Sequence, residues 1–432
     1  MNRVPDARVK SVADVAAWRL CVGCGACAGA CPEGHVQLID VSNEGIRPRV
    51  AEYGCVRCGS CVQVCPGYTT EHPRGADSRE PGAAAGEDFG PVLEIWEGYA
   101  RDEEIRYHGS SGGTVSAIAL YCMEQEGMQG AIHTGANPTE PWRNATVFSR
   151  SRADLIKRAG SRYSPASPCD GLREAESEGG RWVFIGKPCD VVGTRMSEAV
   201  RPGLATTIGI NLAFFCAGTP STSGLLELMD RLHVEPDSVQ GIRFRGRGWP
   251  GRFSVSVSKE RSSPAELSYE DAWGFLQKYR PYRCHLCPDG TGEFADLSCG
   301  DPWYRPVLEG EPGRSLVIVR TERGRRILRA ARQAGYLILE PAGMEELTAS
   351  QVNLLNKRRA VWGRIAAMKC FGIPTPRLAG FSLLANWRKL PWKEKLRSTL
   401  GTSRRIVTRG YYRRGPEMER SGDSGTERRM KR

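Results

Sequence analysis

A chain of 432 residues with 40% apolar and 25% charged residues is long enough for two or three domains, each with a substantial core. No stretch reaches the ~18 uninterrupted apolar residues of a membrane span, and the first twenty have no apolar signal core, so a soluble, cytoplasmic protein is expected. The net charge of +12 is uneven: residues 376–432 hold 16 Lys or Arg against 5 Asp or Glu, leaving 45 against 44 for the remainder.

A short amphipathic helix, with Val12, Val15, Ala16 and Trp18 near one face, leads into CVGCGACAGACP and then CVRCGSCVQVCP. This is CxxCxxCxxxCP written twice. In two-cluster ferredoxins of bacterial type the first three cysteines of a run hold one cubane, and the fourth crosses to the other. That pattern assigns Cys21, Cys24, Cys27 and Cys65 to one [4Fe-4S] cluster, and Cys55, Cys58, Cys61 and Cys31 to a second. Zinc knuckles more often use separated CxxC pairs. Thiolates in this spacing require a reducing compartment, again the cytoplasm. Between the runs, VQLIDVSNEGIRPRV reads as a hairpin turning at residues 43–45. Residues 1–70 are thus expected as an α+β ferredoxin domain, followed by a Gly- and Pro-rich linker at 71–91.

A larger α/β domain is expected over residues 92–375, in an N-terminal part of about 92–175 and a C-terminal part of about 176–375. IWEGYA reads as a strand, and HGSSGGTVSAIALY as a glycine-rich turn opening a helix capped by Ser110 or Ser111. Gly112 and Gly113 would admit a ligand to the backbone, and a helix N-terminus of this kind suits the phosphates of a nucleotide; a packing turn would use the same glycines. RWVFIGKPCD and TIGINLAFFCAGTPS each place a cysteine, Cys189 and Cys216, at the carboxyl end of a strand, the edge where open α/β sheets bind ligands. GIRFRGRGWPGRFSVSV reads as a β-meander, YRCHLCPDGTGEFADLSCGDPW adds Cys284, Cys287 and Cys299, and GRSLVIVRTERGRRILRAARQAGYLILEP reads as strand, helix, strand. A CxxC with two strand-end thiols makes a third metal site, cubane or zinc. Cys122, Cys169 and Cys370 read as ordinary small residues. Residues 376–432 are expected as a basic, partly disordered tail, a candidate for contact with an anionic surface. No aromatic-studded basic platform supports a specific nucleic-acid role.

The order of these motifs, from the double cysteine run through SSGGTVSAIALY, GSRYSP, FIGKPCD, FFCAGTPS, FRGRGWPG and RCHLCPDGTGEFADLSCGD, resembles the coenzyme F420 hydrogenase/dehydrogenase beta-subunit family. Formate dehydrogenase beta subunits and 7-hydroxymethyl chlorophyll reductase are further members. The resemblance implies a flavin-binding domain with FAD against Ser111, Gly112, Gly113 and Thr114 and against Gly160, Ser161, Arg162 and Tyr163. It also implies a third [4Fe-4S] cluster on Cys189, Cys216, Cys284 and Cys287, with Cys299 as an alternative ligand.

The expected activity is that of an iron-sulfur flavoprotein oxidoreductase. FAD would exchange electron pairs with a small-molecule hydride donor or acceptor such as coenzyme F420, and the cubanes would carry single electrons to or from a ferredoxin or other redox partner protein. The alternative is an electron-transfer subunit serving a separate catalytic partner; a weaker one, suggested only by the basic tail, is a nucleic-acid or membrane-surface binding protein whose clusters are structural. Lys187 and His108 are candidates for tuning the cofactor or moving a proton, and Arg245, Arg247 and Trp249 for holding an acidic substrate. Paired carboxylates, a Ser/His/Asp order and a P-loop are all absent from the sequence, so hydrolysis and phosphoryl transfer have no support.

Overall fold

The computed structural model describes residues 6–51, 53–72, 84–86, 88–258, 265–308 and 310–415. At its centre is an eight-stranded mixed sheet in the order Leu337–Ala342, Glu94–Ala100, Ser315–Val319, Leu297–Gly300, Ile208–Phe214, Trp182–Gly186, Gly130–Ala136, Asn144–Ser149. The four strands from Leu297–Gly300 to Gly130–Ala136 run parallel, and antiparallel pairings extend the sheet on both flanks. A parallel strand is covered on both faces, which is why WVFIG is buried at every position.

Alternation along the strands shows what covers each face. Val183, Ile185, Ile210 and Leu212 pack with the helices Thr114–Glu124 and Glu322–Gln333. Trp182, Phe184, Ile208 and Ala213 pack with Leu172, Val191 and Leu204, and with Cys24, Ala26 and Val64 of the double cysteine run. The N-terminal module therefore shares the core of the central sheet.

Within that module, Ser11 and Asp14 form a capping box on the helix Val12–Ala17. The expected hairpin pairs Val36–Val41 with Gly45–Val50. Gly25 and Gly59, each just after the second cysteine of its run, both adopt left-handed conformations, φ +88° and +82°, and open the short helices Ala26–Ala30 and Ser60–Gln63. The sequence repeat is thus a repeat of backbone shape. The expected meander is an antiparallel sheet of Val239–Arg243, Arg252–Val257 and Ala265–Ser268, packed with Leu225, Leu228 and Leu276 around Phe244 and Phe253.

Two segments differ from expectation. The basic segment from residue 376 is folded as far as Gly415: Arg377–Ala379 pairs with Thr69–Glu71, and the helices Leu383–Arg388 and Trp392–Thr408 follow. Ile406 joins Val12, Val15, Leu20 and Tyr282 in one apolar cluster, and Gly415 N donates to Ala17 O at 3.0 Å. Residues 416–432 and 73–83 of the expected tail and linker lie outside the described residues. The end of that linker is anchored, since Phe89 and Val92 are buried and Arg320 donates to the carbonyls of Phe89 and Pro91.

Candidate metal centres and cofactor site

Cys21, Cys24, Cys27 and Cys65 line one narrow pocket, together with Val12, Val15, Leu38 and Pro48. Burial pushes the thiols of Cys27 and Cys65 up, and each is raised further by Cys21 and Cys24. Gly23 N donates to Cys21 Sγ at 3.3 Å, an amide-to-sulfur contact that also favours a thiolate. Cys31 and Cys55 lie within electrostatic reach of Cys61, and His35 N donates to Cys31 Sγ at 3.3 Å. This second set is the outer one: Cys58 is exposed, beside Tyr53 and Val56 at 80% and 77% exposure.

A third group gathers on the sheet. Cys189 stands in the first turn of the helix Pro188–Val200, Cys216 follows the strand Ile208–Phe214, and Cys284 lies in the short helix Tyr282–His285. Cys189 interacts with Cys216 and Cys287, and Cys216 with Cys284 and Cys287. Burial raises Cys189, Cys216 and Cys287, Cys216 to about 11. Such thiols need a metal or a cation to ionise. Among the described residues no group of His, Cys, Asp and Glu closes to single-ion distance. A cubane, with four irons between its thiolates, takes a wider set.

Cations surround this group. Lys357 Nζ donates to Cys216 O at 3.2 Å, Arg280 Nη1 to Ala217 O at 2.8 Å, and the buried Arg283 to the carbonyls of Pro66 and Gly67. Among the described residues no carboxylate lies within 4.0 Å of Lys357, Arg280, Arg283 or Arg364. Cations left without a carboxylate near these thiols fit an anionic cluster, which would supply the missing negative charge. Lys187 differs, since its Nζ bonds Asp190 Oδ2 at 2.7 Å; burial lowers its pKa, but attraction to Asp190, Cys189 and Cys216 outweighs that and raises it. Lys187 is thus a buried ion-pair partner at the cysteine group.

Cys299 does not join the group: it sits in the strand Leu297–Gly300, buried, with its thiol beside Thr114. Cys169, read from sequence as an ordinary small residue, lies between the first and third sets. Its N–H donates to Cys24 O at 3.0 Å, and its thiol to Asp190 O at 3.2 Å.

The expected cofactor residues also come together. Ser161 N donates to Ser110 Oγ, Arg247 N to Tyr107 O at 2.7 Å, and Gly160 lies over Arg245 O. The helix Thr114–Glu124 begins after Gly113, φ +74°, with no side-chain cap. The expected Ser110 or Ser111 cap is therefore not made; Ser111 Oγ donates to Arg314 O instead. Gly112 and Gly113 are explained by packing: a Cβ on Gly112 would stand 2.6 Å from Gly98 O, and one on Gly113 2.8 Å from Ile105 O. Uncapped first-turn amides fit a phosphate, whereas the glycines themselves face protein. Arg162 is half-buried and bonded to Asn144 and to the carbonyls of Pro141, Ile242 and Arg143, and Tyr163 packs on Phe244 and Trp273.

Of the expected substrate residues, Arg245 makes a two-pronged bond to Asp301, 2.8 and 2.7 Å, and Trp249 Nε1 reaches the same carboxylate at 2.9 Å. Asp301 thus holds both. Arg247 is exposed, and His108 is half-buried at the end of the helix Glu103–His108, its ring edge-on to Tyr107. An open cleft of about 470 Å³ lies at the opposite sheet edge, between Arg181, Ile208, Glu322 and Arg323, away from every cysteine group.

Residues 95–172 match the family model described as coenzyme F420 hydrogenase/dehydrogenase, beta subunit N-term, and residues 179–345 match that of its C terminus. The chain belongs to this family. Residues 14–66 match a 4Fe-4S dicluster domain. The coenzyme F420 hydrogenase subunit beta of Methanothermobacter thermautotrophicus is 27% identical over 300 residues, 67% of this chain and 99% of that protein. The F(420)H(2) dehydrogenase of Methanosarcina mazei has a subunit that is 22% identical over 352 residues, 81% of this chain and 93% of that protein. A chain in the F420-reducing [NiFe] hydrogenase complex of Methanosarcina barkeri shares the fold, with a TM-score of 0.54 at 22% identity over 68% of this chain and 98% of that one. Among the described residues no helix is long and apolar enough to cross a membrane.

Proposed function

We propose that this family member is an iron-sulfur oxidoreductase that moves electrons between a deazaflavin of the coenzyme F420 class and a protein partner. The observation that carries the reading is the adjacency of three four-cysteine groups. The innermost lies at the carboxyl edge of the parallel strands, and Cys169 and the helix Pro188–Val200 connect it to the first ferredoxin-type set. Cys189, Cys216, Cys284 and Cys287 would hold the inner cubane, the set with Cys65 the middle one, and the exposed set with Cys58 the outer one.

FAD is the second part of the proposal, held where the uncapped helix at Thr114 meets residues 160–163; when bound, it interconverts electron pairs and single electrons. Around it the chain's own groups set position. The Arg245–Asp301–Trp249 triad fixes the loop that carries Arg247, leaving that exposed guanidinium free for a phosphate or carboxylate of the substrate. Lys187, Lys357 and Arg280 favour negative charge on the inner thiolates. The named relatives are subunits of larger enzymes, which supports a second reading: a subunit that serves a separate catalytic partner through the outer cluster.

Anaerobic purification with iron, sulfide and flavin measured together tests the proposal. About twelve irons and one FAD per chain are expected from three cubanes and one flavin. About eight irons would remove the inner cluster, and absence of flavin would remove the cofactor assignment. Reduction of a viologen by reduced F420 with the isolated chain separates a complete enzyme from a partner-serving subunit.

A further inference from the structure

The helix Trp392–Thr408 is amphipathic in an unusual sense. It buries Ser398, Thr402 and Ile406, spaced four apart, against the body. One solvent-facing flank carries an apolar stripe, interrupted only by the half-buried Ser403: Trp392, Leu396, Leu400 and Val407 are 65%, 47%, 64% and 56% exposed. At 100° per residue these four fall within one quadrant of the helix, and Lys393, Arg397 and Arg404, all exposed, border it on one side. Residues 377–414 hold eleven Lys or Arg against one acid, Glu394. The helix itself carries Lys393, Lys395, Arg397, Arg404 and Arg405 against Glu394, so the apolar stripe lies within this basic segment.

We propose that this helix docks the protein on an anionic lipid surface, lying in the plane of the headgroups with Trp392, Leu396, Leu400 and Val407 inserted. A protein partner would need an acidic groove of matching length. A lipid surface needs only what the helix displays: large apolar side chains, a tryptophan at the interface, and a flank of Lys and Arg. Docking presents the face of the molecule that the last helix builds and leaves the sheet untouched. It depends on neither the clusters nor the cofactor.

Flotation of the purified full-length holoprotein with phosphatidylglycerol-containing and pure phosphatidylcholine vesicles tests it. Binding is expected to the anionic vesicles, to weaken at least tenfold in 0.5 M salt, and to be lost in Leu396→Glu/Leu400→Glu. Both leucines point to solvent, so this variant keeps its fold and iron content. Lys393→Gln/Arg397→Gln is expected to weaken binding several-fold with the stripe intact. Absence of binding to anionic vesicles, binding unchanged in the Leu396→Glu/Leu400→Glu variant, or a Leu400-dependent dimer without lipid affinity would overturn the proposal.

Discussion

Cys169 and Cys24, 145 positions apart in the chain, are in contact through their thiols, and Gly193 closes over both. A Cβ on Gly193 would stand 3.2 Å from Cys24 Sγ, 3.3 Å from Ala26 Cβ and 3.4 Å from Cys169 Sγ. The Gly193→Val variant is therefore expected to lose about 1–3 kcal/mol of stability by overpacking, and with it iron from the first set. Thermal unfolding and iron content of the same preparation check this; a variant as stable and as iron-rich as the parent would contradict the contact.

The Arg245–Asp301 pair is buried on the arginine side, 3% exposed against 15% for Asp301. Removing the acid leaves a buried guanidinium unpaired, so Asp301→Ala is expected to cost about 3–5 kcal/mol in urea unfolding. The loop carrying Arg247 would be displaced as well, raising the KM for an acidic substrate.

His133 is buried, with Nε2 2.7 Å from Ser149 Oγ, and burial lowers its pKa to about 4 from 6.5. The folded state keeps the ring neutral while the unfolded chain protonates below 6.5. The stability tied to this site is thus complete above pH 6.5 and falls between 6.5 and 4, by up to about 3 kcal/mol. His133→Gln should flatten the dependence, read as the difference in unfolding free energy between the two proteins at pH 7 and pH 5.

Lys357 presses its charge on Cys216 and Cys287 with no carboxylate partner among the described residues. If the proposed inner cluster is held there, Lys357→Gln is expected to make it harder to reduce by roughly tenfold in the reduced-to-oxidised ratio, ~59 mV for one electron, while Lys357→Arg leaves it unchanged. Potentiometric titration followed by electron paramagnetic resonance reads the shift.

Much of this was legible in the sequence, because clusters are bound by local motifs and strands by local alternation. CxxCxxCxxxCP marks four cysteines within eleven residues, and WVFIG states its burial in five. What was illegible depends on distant partners. Nothing near Arg245 announces Asp301, 56 positions away, and nothing near Cys169 announces Cys24. The last helix escaped because its inward face is Ser398 and Thr402, so hydropathy points the wrong way and charge suggests a solvated tail. The serine cap expected in the Ser110–Ser111–Gly112–Gly113 turn failed for another reason. Serines before a helix and glycines within a turn are read the same way whether they serve a ligand or a neighbouring strand, and here Gly98 and Arg314 are those neighbours.

The two left-handed turns at Gly25 and Gly59 begin alike, yet one is sunk in the body and the other opens to solvent. Dioxygen and chelators therefore meet the Cys58 side first. Decay in air should proceed in stages from the rim inward, and a partly bleached preparation would keep its interior chromophores after it has lost the means to exchange electrons with anything outside.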